Sequence, residues 1–262
     1  MKAQSAIVFG LLVLVAFPSL ANSDREWKDV AELPTEIAQY RPENSTFVAG
    51  IARQVTVRVL ANNGGGSGVI IDRQGQFYTV LTCAHVVDEK GANYTILAPD
   101  GRIYPGRVLR NNQFGNKDLA LVQFISDRAY RVVAIGNFNA LGIGDEVYAS
   151  GFPNWYLVNQ NEIQNTRSWG LRAFRFTTGN VGMIPERSLP KGYQLGYTNE
   201  IEDGMSGGPV LNSNGELVGI NGRLKFPPQG IQVYRFADGT TPSPGLFQRM
   251  EALSWAIPIT NF

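Results

Sequence analysis

Short apolar runs in period-2 alternation, each closed by Gly, Pro or Asn, recur along this chain from residue 47 onward. A strand turns successive side chains to opposite faces, so this pattern reads as half-buried β-strand. Val55, Val57 and Val59 alternate with Thr56 and Arg58 inside a strand-like stretch from Ile51 to Leu60. Gly64-Gly65-Gly66 reads as a turn, and Gly68 to Ile71 opens the next strand. Phe77 to Thr82, Tyr94 to Leu97, Ile103 to Leu109 and Asp118 to Phe124 continue the series. Val147 to Ala149, Arg172 to Thr177, Pro209 to Leu211 and Leu217 to Ile220 complete it. With 29 Gly and 14 Pro the chain holds turn chemistry for many short strands. The spacing predicts an all-β barrel or sandwich, with no long amphipathic helix beyond the N-terminal segment.

The N-terminal segment reads as an export signal. Met1-Lys2 is a short basic start, an apolar run follows from Ala6 to Leu20, and Ser19-Leu20-Ala21 fits small-x-small cleavage after Ala21. The other reading is a retained anchor, but the run is shorter than the roughly 20 residues a bilayer span needs. Residues 22–46, with Pro34 and Pro42, are expected to form an arm or linker. Removing residues 1–21 takes away one lysine and no acid, which leaves 22 basic and 22 acidic residues. A balanced charge gives no support for nucleic-acid or anionic-membrane binding. The single cysteine, Cys83, permits no internal disulfide and no structural zinc site of the usual kind. No cofactor and no metal are expected, and the mature chain is expected to lie outside the membrane in the periplasm or medium.

Three segments carry chemistry. Residues 203–209 read Asp-Gly-Met-Ser-Gly-Gly-Pro. Gly204 allows a turn that a Cβ would obstruct, so its N–H and that of Ser206 can converge as an oxyanion hole beside the Ser206 hydroxyl. A serine hydroxyl needs a neighbouring base, and His85 is the only histidine in the chain. An imidazole in that role needs a carboxylate to fix its tautomer, and Asp118 heads an apolar strand in Asn116-Lys117-Asp118-Leu119. The order His, Asp, Ser excludes the α/β-hydrolase nucleophile elbow, which needs a histidine after the serine.

The segments LTCAHVV, NKDLALV and DGMSGGPVLN, extended by GGGSGVII and GELVGINGR, resemble the signature segments of trypsin-like serine proteases. The resemblance is nearest to the bacterial HtrA-like branch, without room for a PDZ domain. It implies two antiparallel six-stranded β-barrels of the chymotrypsin type, with the active site in the cleft between them. Residues 47–127 would form the first barrel, 128–144 a connector and 145–262 the second barrel. His85, Asp118 and Ser206 would be the catalytic triad of an endopeptidase acting on polypeptides through an acyl-enzyme. A catalytically idle peptide-binding scaffold of the same fold is the alternative.

Two departures and several specificity positions follow from the same resemblance. Met205 stands where an activation-dependent aspartate stands in animal relatives, so no cut before Ile51 should be needed. Gly222 stands where a serine commonly supports the catalytic aspartate, which removes one hydrogen bond and predicts modest activity. Gly222, Arg223 and Leu224 would form the edge that pairs with substrate backbone. Glu200 and Ile201 are rival determinants of the side-chain pocket, one acidic and one apolar. Trp255 to Pro258, approached by the long loop from Phe226 to Gly245, would line that pocket.

Overall fold

The computed structural model describes residues 42–259, apart from 62–63, 90, 110–112 and 160–161. The export signal and most of the expected arm lie outside the described residues. Where the arm and first strand were expected to meet, the chain forms a 14-residue helix instead, α1 (Pro42–Val55). Val48, Ile51, Ala52 and Val55 recur at helical spacing and are all buried. The alternation of Val55, Val57 and Val59 therefore begins one element too early when read backwards. Only Thr56–Leu60 is strand.

Six strands follow: β1 (Thr56–Leu60), β2 (Gly65–Gln74), β3 (Phe77–Thr82), β4 (Tyr94–Leu97), β5 (Ile103–Leu109) and β6 (Ala120–Ile125). They close into an antiparallel barrel in the order β1-β2-β3-β6-β5-β4. Gly65 and Gly66, expected in a turn, already pair with Leu60 and Val59 as part of β2. After β7 (Glu146–Gly151), β8 (Trp155–Asn159) and β9 (Glu162–Asn165) form a separate two-stranded ribbon. The chain continues through β10 (Arg175–Met183), β11 (Leu195–Tyr197), β12 (Pro209–Leu211), β13 (Leu217–Arg223) and β14 (Ser254–Pro258). A second closed barrel runs β10-β11-β14-β13-β12-β7. Taken cyclically from β7, that is the same order as in the first barrel. The fold is thus two closed six-stranded antiparallel barrels, as expected from the resemblance.

Each barrel has its own interior. Val57, Ile70, Tyr78, Val80, Val122 and Phe124 fill the first. Val147, Leu195, Tyr197, Val210 and Val218 belong to the second. A further cluster joins Val48, Ile51, Ala52 and Val55 of α1 to Tyr148, Leu211 and Leu217 of the second barrel. The helix that precedes the first barrel therefore packs on the second.

The segment from Phe226 to Gly245 differs from its expected role. It contains a 3₁₀ turn (Gly230–Tyr234) and leads into α2 (Pro244–Glu251), where Ser243 caps the N-terminus through Leu246 N–H. Trp255, Ala256 and Ile257 are fully buried. The Trp255 ring packs edge-on to Tyr234, and its Nε1–H donates to the Met250 carbonyl. These residues are core rather than pocket lining: Trp255 and Ile257 pack in the cluster that holds Tyr148 and Leu211, and Ala256 lies in the interior of the second barrel.

Candidate active site

Each candidate side chain sits where a strand ends. His85 lies in a 3₁₀ turn (Ala84–Val86) directly after β3, Asp118 just before β6, and Ser206 just before β12. His85 and Ser206 line one cleft of about 190 Å³, together with Gly64, Gly65, Asp203 and Gly204. Asp118 lies beneath it with 4% exposure.

The Asp118 carboxylate is fully engaged. Its Oδ1 accepts the His85 backbone N–H at 2.9 Å, and its Oδ2 is 2.6 Å from His85 Nδ1. The same Oδ2 accepts the Tyr193 hydroxyl at 2.6 Å. Burial by itself would raise the Asp118 pKa. The hydrogen bond and charge of His85, aided by the Tyr193 hydroxyl, outweigh burial and hold the carboxyl well below the usual range. An ionised carboxylate only accepts, so Nδ1 carries the imidazole hydrogen and Nε2 is left as the basic nitrogen.

Tyr193 gives a hydrogen bond that was expected to be lost at Gly222. A Cβ at 222 would stand 2.2 Å from the Tyr193 hydroxyl oxygen, so the absent side chain is what makes room for the phenol. The loop that brings Tyr193 in also grips Asp118 by the backbone, through Asp118 N–H to the Lys191 carbonyl at 2.9 Å. Burial pushes the Tyr193 phenol far above its ordinary pKa, so it acts only as a neutral donor. Cys83 is equally buried, and its thiol donates to the Asn221 carbonyl at 3.1 Å.

The backbone around Ser206 is fixed from several sides. Gly204 has φ +94°, and a Cβ there would lie 2.6 Å from Phe152 O and Asn154 N. The N–H groups of Met205, Gly207 and Gly208 are bonded to Glu202, Asn221 and Met205 carbonyls. Among the described residues the N–H groups of Gly204 and Ser206 have no internal acceptor. A trans peptide points its N–H opposite to its C=O. Asn154 N–H holds the Asp203 carbonyl at 2.8 Å, and Gly208 N–H holds the Met205 carbonyl at 3.1 Å. Those two bonds set the directions of the Gly204 and Ser206 amides.

Ser67, fully buried on β2, ties this segment to the first barrel. Its N–H donates to the Ser206 carbonyl and its hydroxyl to the Gly204 carbonyl, while it accepts Phe152 N–H, all at 2.8 Å. Neither Ser67 nor Tyr193 stands out in the sequence. Ser67 is one serine in a glycine run, and Tyr193 meets Asp118 across 75 residues.

A family model described as a trypsin-like peptidase domain matches residues 66–220, which include all three candidate side chains. The chain belongs to the trypsin-like peptidase family. Among proteins similar to it, the putative serine protease HhoA of Synechocystis is 32% identical over 170 residues, covering 64% of this chain and 39% of that protein. The serine endoprotease DegS of Escherichia coli K12 is 28% identical over 268 residues, covering 96% of this chain and 63% of DegS. The periplasmic serine endoprotease DegP of Salmonella typhimurium LT2 is 30% identical over 168 residues, covering 63% of this chain and 31% of DegP. The chain thus spans less than two thirds of the length of each of these family members.

The specificity positions fare unevenly in this family frame. The Glu200 carboxylate forms an ion pair with Lys225 Nζ at the surface, so its charge is already met. Ile201 is buried in the second barrel beside Met205 and Tyr197. The Arg223 guanidinium turns away to the Pro190 and Val233 carbonyls and lies 4.4 Å over the Tyr193 ring. It supports the phenol rather than presenting a free charge. Gly222 is partly exposed and Leu224 is 39% exposed at the end of β13.

Proposed function

We propose that the chain is a serine endopeptidase that cuts polypeptides through an acyl-enzyme. Ser206 attacks the scissile carbonyl, His85 Nε2 takes its proton and passes it to the leaving amine, and Asp118 holds the imidazole tautomer. The developing oxyanion is received by the Gly204 and Ser206 N–H groups. The observation that carries this reading is the His85–Asp118 bond at 2.6 Å, beside a cleft shared by His85 and Ser206. The described hydrogen bonds include none between His85 and Ser206; such contacts tighten when substrate binds.

Extended substrate is read by strand addition along Gly222, Arg223 and Leu224, a mode that tolerates many sequences. Export belongs to the same reading: residues 1–21 act as a cleaved leader, and one relative carries the word periplasmic in its name. Among the described residues no helix is long and apolar enough to cross a membrane.

Ser206→Ala tests the assignment. Peptide hydrolysis is expected to fall by about 10⁴–10⁶-fold, with loss of labelling by an organofluorophosphate. Hydrolysis at the wild-type rate in that variant would remove Ser206 from the mechanism.

A further inference from the structure

A second pocket, of about 320 Å³, adjoins the cleft that holds His85 and Ser206. Gly64 and Asp203 line both. Its other walls include Arg58, Asn154, Trp155 and Arg167. It lies between Leu60 and Gly64, at the close of β1 and just before β2, and the base of the β8–β9 ribbon.

The two arginines are unusual in their partners. Arg58 is 1% exposed, yet among the described residues its hydrogen bonds go to neutral acceptors: the Thr166 carbonyl and hydroxyl at 2.9 Å, the Pro153 carbonyl at 3.4 Å and the Asn154 amide oxygen at 3.5 Å. Its Nε–H is buried without any partner. Arg167 donates to the carbonyls of Gly64 and Ala61. Among the described residues neither guanidinium has a carboxylate in ion-pair contact. Burying a cation without an anion is unfavourable, and a second cation nearby adds to it. Burial and then the charge of Arg167 push the Arg58 pKa down to about 10. Asp203 is the one acid among the lining residues; its carboxylate accepts from the Asn154 amide at 3.4 Å, and among the described residues it is in ion-pair contact with neither guanidinium.

We infer that this pocket is a carboxylate-binding subsite for the part of the substrate beyond the bond that is cut. The inference rests on the peptidase reading above. None of Gly222, Arg223 or Leu224 lines the pocket, so it does not belong to the edge that holds the other part of the substrate. A strand advances about 3.3 Å per residue. A chain whose scissile carbonyl meets the Gly204 and Ser206 amides therefore reaches the Gly64–Asp203 wall within a few residues. A carboxylate placed there gains charge-assisted bonds from Arg167 and relieves the uncompensated charge of Arg58. The carboxylate can come from an Asp or Glu side chain or from the end of the substrate chain. Trp155, half exposed, offers the apolar side wall for the stem of such a residue.

The test uses matched peptides that carry Glu or Gln at each of the first three positions after the cut, all amidated at the C-terminus. A second set ends within those positions, with a free or an amidated terminus. At one position kcat/KM is expected to favour the carboxylate by about tenfold. Arg167→Gln should bring that ratio close to one. Arg102→Gln, at an exposed arginine between β4 and β5 that does not line the pocket, should leave it intact. Preference in the amidated set assigns the side chain as source, and preference only for free termini assigns the chain end. Equal rates throughout, or a preference that survives Arg167→Gln, would overturn the subsite. If no peptide is cut, the peptidase reading fails, and equilibrium binding of the same pairs to wild type and Arg167→Gln still decides the pocket. Tighter binding of the carboxylate that Arg167→Gln abolishes supports it, and equal binding rejects it.

Discussion

Tyr193 and Gly222 share one volume: the phenol oxygen stands 2.2 Å from where a Cβ on residue 222 would be. The hydroxyl that bonds Asp118 and the missing side chain on β13 are two halves of one arrangement. Tyr193→Phe keeps the ring and removes only the donor. Its kcat is expected to fall by roughly tenfold with KM little changed, since a hydrogen bond to a charged group contributes about 1.5–3 kcal/mol. A merely structural role would instead show as lost stability with an unaltered kcat.

Gly222→Ala should be costly in its own right. The new methyl meets the Tyr193 ring and hydroxyl at 2.2–2.7 Å, inside a wall closed by Arg223. Overpacking of this kind destabilises by about 1–3 kcal/mol, and denaturant unfolding would register it. In a Tyr193→Phe background the added methyl should cost less, because its closest clash is with the hydroxyl oxygen; an equal cost in both backgrounds would show that the two positions do not compete.

Ser67→Ala removes one hydroxyl that serves two backbone groups. Gly204 O and Phe152 N–H would each lose a buried partner. Stability is expected to drop by about 2–4 kcal/mol, and turnover should fall with it because the Gly204–Met205 peptide, which joins the two oxyanion donors, loses an anchor. Unchanged melting and unchanged turnover would contradict the clamp.

The acid limb of stability should carry the mark of Asp118. Its folded pKa lies below the unfolded value, so its ionised form stabilises the fold at every pH above about 4. That contribution is lost as pH falls towards the lower folded value. The stability difference between wild type and Asp118→Asn should therefore be widest above about pH 4 and close in stronger acid. Unfolding curves at pH 3 and pH 5 that show the same difference would refute the assignment.

Activity should not depend on a new chain end near Ile51. Ile51 is 4% exposed inside α1 and packs into the cluster containing Tyr148 and Leu211. Met205 is fully buried among apolar residues, which leaves no site for an ion pair with a terminal amine. Intact mass of the active species should show residues before Ile51 still attached. Activity that appears only after a cut there would reverse this.

The barrels were legible because alternation and turn residues are local signals, and the triad candidates because each lies in its own short motif. What was hidden depends on contacts between distant segments. Tyr193 meets Asp118, and Ser67 meets Gly204, only once both barrels are closed. Helix α1 carried its 3.6-residue stripe in plain view, but Val55 belongs to the stripe and to the alternation alike. Trp255 to Ile257 followed a Pro- and Gly-rich loop, which suggested a pocket wall. Packing of their side chains against residues far away in the sequence makes them interior.

Asn154 leads into the β8–β9 ribbon, and its N–H sets the tilt of the Asp203–Gly204 peptide plane. Its side-chain amide also reaches the Gly65 carbonyl at 3.0 Å. The ribbon is exposed along both strands, with Trp155, Leu157 and Ile163 at the surface. The residue at the root of the ribbon is thus the same one that orients a hydrogen-bond donor of the cleft, so an exposed appendage and the Gly204 amide share a single anchor.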